Sequence, residues 1–209
     1  MFANALGAEI RAFENREHEG RPARVGIIER RYDTDPDDLW DALTNAERIP
    51  RWFLPVEGDL RLGGHYQLKG NAGGTITRCD PPRALDVTWE FGGGTSWVQV
   101  RLAPDGDATR LTLEHIVLAS DVDEHWARYG PAATGVGWDL ALLGLRHHLA
   151  EGGAQVDAAA FEAWSSSDEG KAYIRRSAEA WAAAHIAGGE DPDTARGMAA
   201  RTAAFYTGG

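Results

Sequence analysis

His115 is the residue whose type and position most suggest chemistry. It shares an alternating segment, residues 109–117, with Leu111 and Leu113, and these side chains fall on one face of a predicted strand. That face should point into the core, where an imidazole needs a hydrogen-bond partner and could act as a general acid or base. A histidine that only stabilises the core is the commoner case. His115 is therefore a weak candidate catalytic residue.

Carboxylates that could work with His115 occur in the connection formed by residues 118–134. Asp121 and Asp123 cluster there with Glu124 and His125. We expect this connection to close over the mouth of a cavity, although a charged surface loop is the simpler interpretation. A cyclase- or hydrolase-type reaction would require His115 within reach of Asp121 or Asp123.

Metal and thiol chemistry find little support in the sequence. The lone Cys79 has no neighbouring base, so a nucleophilic role is not predicted. His147 and His148 are adjacent on a predicted helix and point about 100° apart, which prevents them from sharing one metal. The seven histidines show no metal-ligand spacing. We predict no metal and no cofactor.

A larger group of apolar side chains falls on the faces of strands and of one helix that should point inward. These residues could line a cavity for a small hydrophobic or aromatic molecule, or they could simply fill the core. The candidate binding residues are Trp52, Phe53, Tyr66, Trp89, Val98, Val100, Leu113, His115, Trp138, Leu142 and Leu145.

The element that should position these residues is a helix over residues 135–149. Trp138, Leu142, Leu145 and Leu149 recur at spacings of four, three and four, and further leucines lie off that seam. The helix is thus apolar over more than half of its circumference. Such a helix should be enclosed by other elements, and the natural partner is the concave face of a curved antiparallel sheet.

The strands of that sheet are separated by glycine- and proline-rich turns, which is typical of an antiparallel meander. Between the first and second strands, Asp35 should cap a helix that begins at Pro36, and a second short helix should follow over residues 46–53. The predicted strands cover residues 24–32, 59–62, 65–69, 74–79, 83–91, 96–102 and 109–117.

The two ends of the chain differ in character from the middle. Residues 1–23 predict a loosely attached N-terminal arm, with a possible short helix over residues 5–14. Residues 154–209 are rich in alanine and predict a helical appendage, packed on the main body or on a second copy of it, whose final helix starts at Asp191-Pro192. The expected domains are therefore 1–23, 24–153 and 154–209.

Composition limits the classes of partner. The 209 residues carry a net charge of −11, which disfavours nonspecific binding to nucleic acid or to anionic membranes. No apolar run approaches the ~18 residues of a membrane span, and the first residues lack a signal-peptide core. One cysteine cannot form an intrachain disulfide, which fits a reducing compartment. We expect a cytoplasmic protein that partners neither nucleic acid nor membrane, with homodimer formation left open.

The order of strand, two short helices, six strands and a long helix resembles the helix-grip fold of the START/Bet v 1 superfamily. Residues 24–149 resemble the family named for the C-terminal domain of the Hsp90 ATPase activator. The resemblance implies an α+β fold, with a curved antiparallel sheet of about seven strands wrapped around the long C-terminal helix. The family resemblance rests on matching residues in this order: Tyr32, the run DDLWDAL at 37–43, RWF at 51–53, DLRLGGHY at 59–66, residues 74–79, PPRAL at 81–85, Thr88-Trp89, TRLTLEH at 109–115 and Gly137-Trp138.

Relatives in that superfamily bind lipids, sterols or aromatic polyketides, and some are cyclases or hydrolases. The leading hypothesis is a protein that binds a small hydrophobic or aromatic molecule between sheet and helix. One alternative is an enzyme of the cyclase or hydrolase type that uses His115. Another is a regulatory or interaction protein that acts through its C-terminal helices.

Overall fold

The computed structural model describes residues 9–121 and 123–209, which form one antiparallel sheet with helices on its concave side. No helix in these ranges is both long and apolar enough to span a bilayer. The strands are β1 (Ile10–His18), β2 (Arg21–Tyr32), β3 (Val56–Gly58), β4 (His65–Leu68), β5 (Gly73–Asp80), β6 (Ala84–Phe91), β7 (Gly94–Asp105) and β8 (Ala108–Leu118). The helices are α1 (Pro36–Thr44), α2 (Ile49–Trp52), α3 (Glu124–Tyr129), α4 (Ala132–Ala150), α5 (Ala158–Ser166), α6 (Asp168–Ala187) and α7 (Pro192–Thr207).

The sheet has the strand order β1-β2-β8-β7-β6-β5-β4-β3. All neighbouring strands are antiparallel, and β2 pairs with β8 through the register Ala23↔Leu118 to Tyr32↔Thr109. The crossover from β2 to the far edge of the sheet carries α1 and α2. The predicted helix-grip fold is confirmed, with eight strands where the sequence predicted about seven.

Two strand predictions were wrong. Residues 59–62, which were predicted as a strand, form a loop and a turn, and the edge strand is β3 at Val56–Gly58. The additional strand is β1, which the sequence did not predict. Residues 10–18 were expected in a loose arm with a helix over 5–14, but they pair continuously with β2, from Ile10↔Glu29 to His18↔Arg21. The part of that prediction that falls on residues 1–8 lies outside the described residues. The reason for the error is that β1 buries Phe13 against α6, which is remote in sequence, so the segment carries no strong local pattern.

The sheet packs around helix α4, as the apolar side chains over most of the helix circumference predict. Leu142 and Leu145 are 2% and 0% exposed, in one core cluster with Val98, Val100 and Leu113 of the sheet. Burial of each leucine side chain contributes about 1.5–3 kcal/mol. The helix ends where the chain reaches Gly152 and Gly153, whose φ angles of +64° and +84° suit glycine.

The N-terminus of α1 follows the predicted capping pattern. The side chain of Asp35 accepts a hydrogen bond from the backbone N–H of Asp38 at 2.9 Å, and Pro36 occupies the first turn. The second short helix is confined to Ile49–Trp52, shorter than the predicted 46–53. Arg48 joins the two helices through ion pairs with Asp38 and Asp41 at 2.7 and 3.0 Å.

Helix α6 packs on α4 and β1 of the same chain, which is the first of the two arrangements that the sequence left open. The indole of Trp181 lies between Gly26 and Gly135, where a Cβ atom at Gly135 would overlap the ring. Trp181 and Ser177 donate hydrogen bonds to the buried carboxylate of Asp139, which also receives two from Arg11. The C-terminal helices therefore share a core with the sheet.

Helix α7 is attached to the segment between β8 and α4 by side chains that donate to backbone carbonyls. Arg201 donates to the carbonyl of Arg128, Thr202 to that of Tyr129 and Tyr206 to that of Ala133, at 2.7, 3.1 and 2.8 Å. These bonds satisfy carbonyls where α3 ends and α4 begins. They hold α7 against α3 and α4.

Candidate ligand-binding site

A cavity of about 150 Å³ lies between the concave face of the sheet and helices α1, α2 and α4. It involves residues of β3 to β8, with many of them from the β3–β6 end of the sheet. Its walls are almost entirely apolar. The lining residues are Leu43, Thr44, Ile49, Trp52, Phe53, Val56, Leu60, Tyr66, Leu68, Ile76, Cys79, Leu85, Val87, Trp89, Val98, Val100, Leu111, Leu113, Trp138 and Leu142.

Three polar groups in this lining have hydrogen-bond partners within the protein. The hydroxyl of Tyr66 donates to the carbonyl of Thr88 at 2.7 Å, and that of Thr44 donates to the carbonyl of Trp40 at 2.8 Å. The indole N–H of Trp52 donates to the carbonyl of Ala42 at 2.9 Å. Burial also raises the pKa of Tyr66, so this phenol stays neutral. The cavity thus presents hydrocarbon and aromatic surface.

Most of the candidate binding residues line this cavity, and two do not. Leu145 faces another part of the core and is fully buried there. His115 lies behind Trp138, on the outer side of the cavity wall. The candidates that line the cavity are Trp52, Phe53, Tyr66, Trp89, Val98, Val100, Leu113, Trp138 and Leu142.

Sequence reasoning missed several lining residues from α1, α2, β6 and the β3–β5 edge. Leu85 and Val87 alternate with Trp89 along β6, so their parity could have identified them. Leu43, Ile49 and Leu60 come from short helices and a loop, where no strand or long-helix periodicity is available. Their place in the cavity follows from tertiary packing.

One end of the cavity is an aromatic wall. The rings of Trp52 and Phe53 are stacked at 5.4 Å between centroids, and Phe53 stacks on Trp138 at 6.4 Å. Trp138 in turn contacts Trp89 at 5.1 Å. Aromatic pairs at these distances contribute about 0.5–1.5 kcal/mol beyond their buried area.

His115 forms hydrogen bonds at both ring nitrogens. The indole N–H of Trp138 donates to Nδ1 at 3.0 Å, and Nε2 lies 2.8 Å from Oγ of Ser96. Because an indole nitrogen can only donate, Nδ1 must carry the lone pair and Nε2 the proton. Nε2 therefore donates to Ser96, whose hydroxyl donates to the carbonyl of Trp89 at 3.1 Å.

This arrangement removes the base that the enzyme hypothesis needs. Burial lowers the pKa of His115 from 6.5 to about 4, so the ring is neutral near pH 7, and its one lone pair is already engaged. Asp123 caps α3 by accepting from the N–H of Trp126, and Asp121 accepts from Ser120. In the described residues no hydrogen bond joins either carboxylate to His115. Nor do three or more metal-ligating side chains come together there.

The volume of the cavity limits its occupant. An apolar cavity of about 150 Å³ in another protein stays dry and binds benzene, whereas pockets for drug-sized ligands reach ~300–1,000 Å³. A single aromatic ring therefore fits without movement of the walls. A larger apolar molecule would have to displace α2 or an aromatic side chain of the wall.

Comparison with known proteins places these features in context. Residues 33–150 match the sequence profile of the family described as activator of Hsp90 ATPase homolog 1-like protein. The crystal structure of CalU16 from Micromonospora echinospora is 37% identical, covers 85% of this chain and 98% of its own, and superposes with a TM-score of 0.66. For its solution structure the values are 36%, 87%, 97% and 0.69.

Protein MLL2253 from Mesorhizobium loti shares the fold at 21% identity, with a TM-score of 0.54 over 62% of this chain and 98% of its own. No curated protein matches the chain significantly. The CalU16 matches extend beyond residues 33–150, so they include part of the structure outside the family profile.

Proposed function

We propose, since the chain belongs to the activator of Hsp90 ATPase homolog 1-like family, that it binds a small hydrophobic or aromatic molecule in the cavity between sheet and α4. The observation that carries this proposal is the lining itself. Trp52, Phe53, Trp89 and Trp138 present ring surface to a partly open cavity, in which the polar groups of Thr44, Trp52 and Tyr66 already have partners. An apolar ligand would gain about 25 cal/mol for each Å² that it removes from water and would leave those three hydrogen bonds intact.

Binding without catalysis is favoured because His115 lacks a free lone pair. A cyclase or hydrolase would need a base that reaches the ligand, yet the imidazole lies behind Trp138 and is held by two hydrogen bonds. The interaction hypothesis receives less support because α6 buries Trp181, Ile174 and Ala178 in the core of its own chain. We also propose that the protein is cytoplasmic, a location that fits its single cysteine. Its net negative charge disfavours nucleic-acid and membrane partners.

Calorimetric titration with benzene tests this proposal. We expect saturable binding by the wild-type protein and its loss in Val100→Phe, because the added ring atoms occupy the cavity. The matched control is Ile27→Phe, which enlarges a side chain packed with the cluster on the other face of the sheet. Nonsaturable binding by the wild type, or equal binding by both variants, would contradict the proposal.

Cys79 offers a second readout that does not depend on a bulky substitution. Its partly exposed side chain lines the cavity, so a small methanethiosulfonate group attached to it would share that space with a ligand. Saturating benzene should slow this modification, and the modified protein should lose benzene binding. Modification at the same rate with and without benzene would count against a ligand in this space.

A further inference from the structure

A second recess lies outside the cavity and shares only Trp89 with the cavity lining. It is an open groove of about 550 Å³ between the β6–β7 hairpin, the end of β8, α3 and α7. Helix α7 forms one wall of this groove, and the hydrogen bonds of Thr202 and Tyr206 to backbone carbonyls hold the helix in place. The groove is thus built jointly by the helix-grip body and the C-terminal helices.

The groove collects aromatic side chains that remain open to solvent. Phe91 is 62% exposed and Phe205 is 65% exposed, although they lie on a hairpin and on the last helix. In the described ranges the other large hydrophobic residues with such exposure are Ile10 and Leu62, and neither lines the groove. Exposed apolar surface that converges from separate elements is characteristic of a binding site.

These aromatic rings stand in contact with one another along the groove. Tyr129 and Phe205 lie 5.7 Å apart between centroids, and Phe205 meets Tyr206 at 5.5 Å. Trp89 and Trp126 complete the aromatic lining. Because the rings of Phe205 and Tyr206 are nearly perpendicular, at 86°, a flat molecule that stacks on one of them would meet the other edge-on.

The charged side chains of the lining favour a cation. Asp121 and Asp123 line the groove, and no lysine or arginine among the described residues does so. Two guanidinium groups lie next to the groove, with Arg24 over Trp126 at 5.0 Å and Arg128 over Tyr129 at 5.2 Å, and their charge opposes a further cation at those two rings. A cationic ligand would therefore use the rings of Phe91, Phe205 and Tyr206. Aromatic rings combined with carboxylates form the chemical setting that binds organic cations.

We infer that this groove is a binding site for a flat aromatic cation, such as a polycyclic aromatic amine that is protonated at neutral pH. Its rings would lie against Phe91, Phe205 and Tyr206, and its charge would face Asp121 and Asp123. The inference goes beyond the proposed function and does not depend on it, because the occupant lies outside the cavity.

The test is a fluorescence and calorimetric titration of the full chain with proflavine, a flat cation, and with acridine-9-carboxylate, a flat anion. The expected result is saturable 1:1 binding of proflavine and at least tenfold weaker binding of the anion. Phe205→Ala and Phe91→Ala should each weaken proflavine binding on the order of tenfold, the size of a lost ring-stacking or cation–π contact. Both residues are exposed, so these variants should fold normally.

Matched controls separate the groove from general attraction to an acidic protein. Asp121→Asn should weaken proflavine binding, whereas Asp193→Asn, which removes a charge from the exposed start of α7, should not. Leu62→Ala removes exposed apolar surface elsewhere and should have no effect. Val100→Phe, which fills the cavity, should abolish benzene binding and leave proflavine binding unchanged.

Any of three results would overturn the inference. The first is equal affinity for the cation and the anion, and the second is proflavine binding that is unaffected by Phe91→Ala and Phe205→Ala. The third is light scattering that shows a dimer which Phe205→Ala converts to a monomer, since a second copy would then occupy the groove. Failure of benzene binding with intact proflavine binding would reject only the proposed function.

Discussion

Trp138 of α4 donates its indole N–H to Nδ1 of His115 on β8 at 3.0 Å. This contact decides the chemistry of the histidine, because the tautomer follows from the donor and the second nitrogen must then carry the proton. It also ties the enclosed helix to the sheet that encloses it. His115, which the sequence indicates as a catalytic candidate, thus positions Trp138 in the cavity wall.

The tautomer is directly measurable. We expect the ¹⁵N spectrum of His115 to show a neutral ring with a protonated Nε2 from pH 8 down to about pH 4, because burial lowers its pKa to about 4. A charged ring at pH 6, or a proton on Nδ1, would refute the hydrogen-bond assignment.

The same histidine should make the folded state sensitive to acid. Its pKa is about 4 when folded and about 6.5 when unfolded, so between these values the unfolded state binds more protons. The free energy of unfolding should therefore fall by about 3 kcal/mol from this group as the pH drops from 6.5 to 4. His115→Gln should reduce the pH dependence by about that amount, measured by urea titration at each pH.

His65→Gln provides the control for that experiment. It makes the same substitution at an exposed imidazole and therefore measures the effect of a histidine-to-glutamine change outside the core. Wild-type dependence in His115→Gln would mean that other groups, such as His148 and His185, account for the acid sensitivity.

Asp139 should be the most sensitive polar position in the core. Its carboxylate is fully buried and accepts hydrogen bonds from Arg11, Ser177 and Trp181. Burial raises its pKa, and the first two partners oppose that shift. Asp139→Asn would remove the carboxylate that lies 2.9 Å from the Arg11 guanidinium and leave only Glu9, at 3.5 Å, as its counter-charge, so we expect a loss of about 3 kcal/mol in unfolding free energy.

The comparison is Asp193→Asn, where the ion pair with Arg196 is exposed. Surface changes of this kind shift stability by no more than ~0.5 kcal/mol. A stability loss at Asp139 as small as that would show that the network does not hold α6 and β1 on α4.

Two glycines within helices should respond to alanine with opposite signs. Gly135→Ala places a methyl group into the Trp181 indole and should lower stability by about 1–3 kcal/mol. Gly197→Ala on α7 meets only the end of the Arg201 side chain, at 3.3 Å, and should gain up to about 1 kcal/mol from helix propensity. Thermal unfolding should show these as a decrease and an increase in Tm.

Local patterns predicted the elements whose partners are adjacent in sequence or whose faces are strongly apolar. The start of α1 at Pro36, the position of α4 and the alternation in β6 to β8 all follow from short-range spacing, although α4 at Ala132–Ala150 is longer than the predicted 135–149. Strand β1 escaped prediction because Phe13 and Arg11 meet α6 and α4, which lie more than a hundred residues away. Its hydrogen-bonded partner β2 is adjacent in sequence, but the side-chain partners that bury its inner face lie outside any local window.

The same distinction holds for the candidate site. Parity along the strands placed Trp89, Val98 and Val100 on the cavity side, and helical spacing placed Trp138 and Leu142 there. Neither pattern could show that Trp138 forms a hydrogen bond with His115, because the distance between a strand and a helix depends on tertiary packing. For the same reason the groove built by α7 had no signal in the sequence.

The most direct test of the account is an NMR measurement of where benzene lies in the protein. We predict intermolecular nuclear Overhauser effects from bound benzene to the methyl groups of Val98, Val100 and Leu142, which line the cavity, and none to those of Ile27 or Val25, on the other face of the sheet. Absence of contacts to the cavity methyls at saturating benzene, or contacts spread over both faces of the sheet, would contradict the claim that this fold holds a ligand between its sheet and α4.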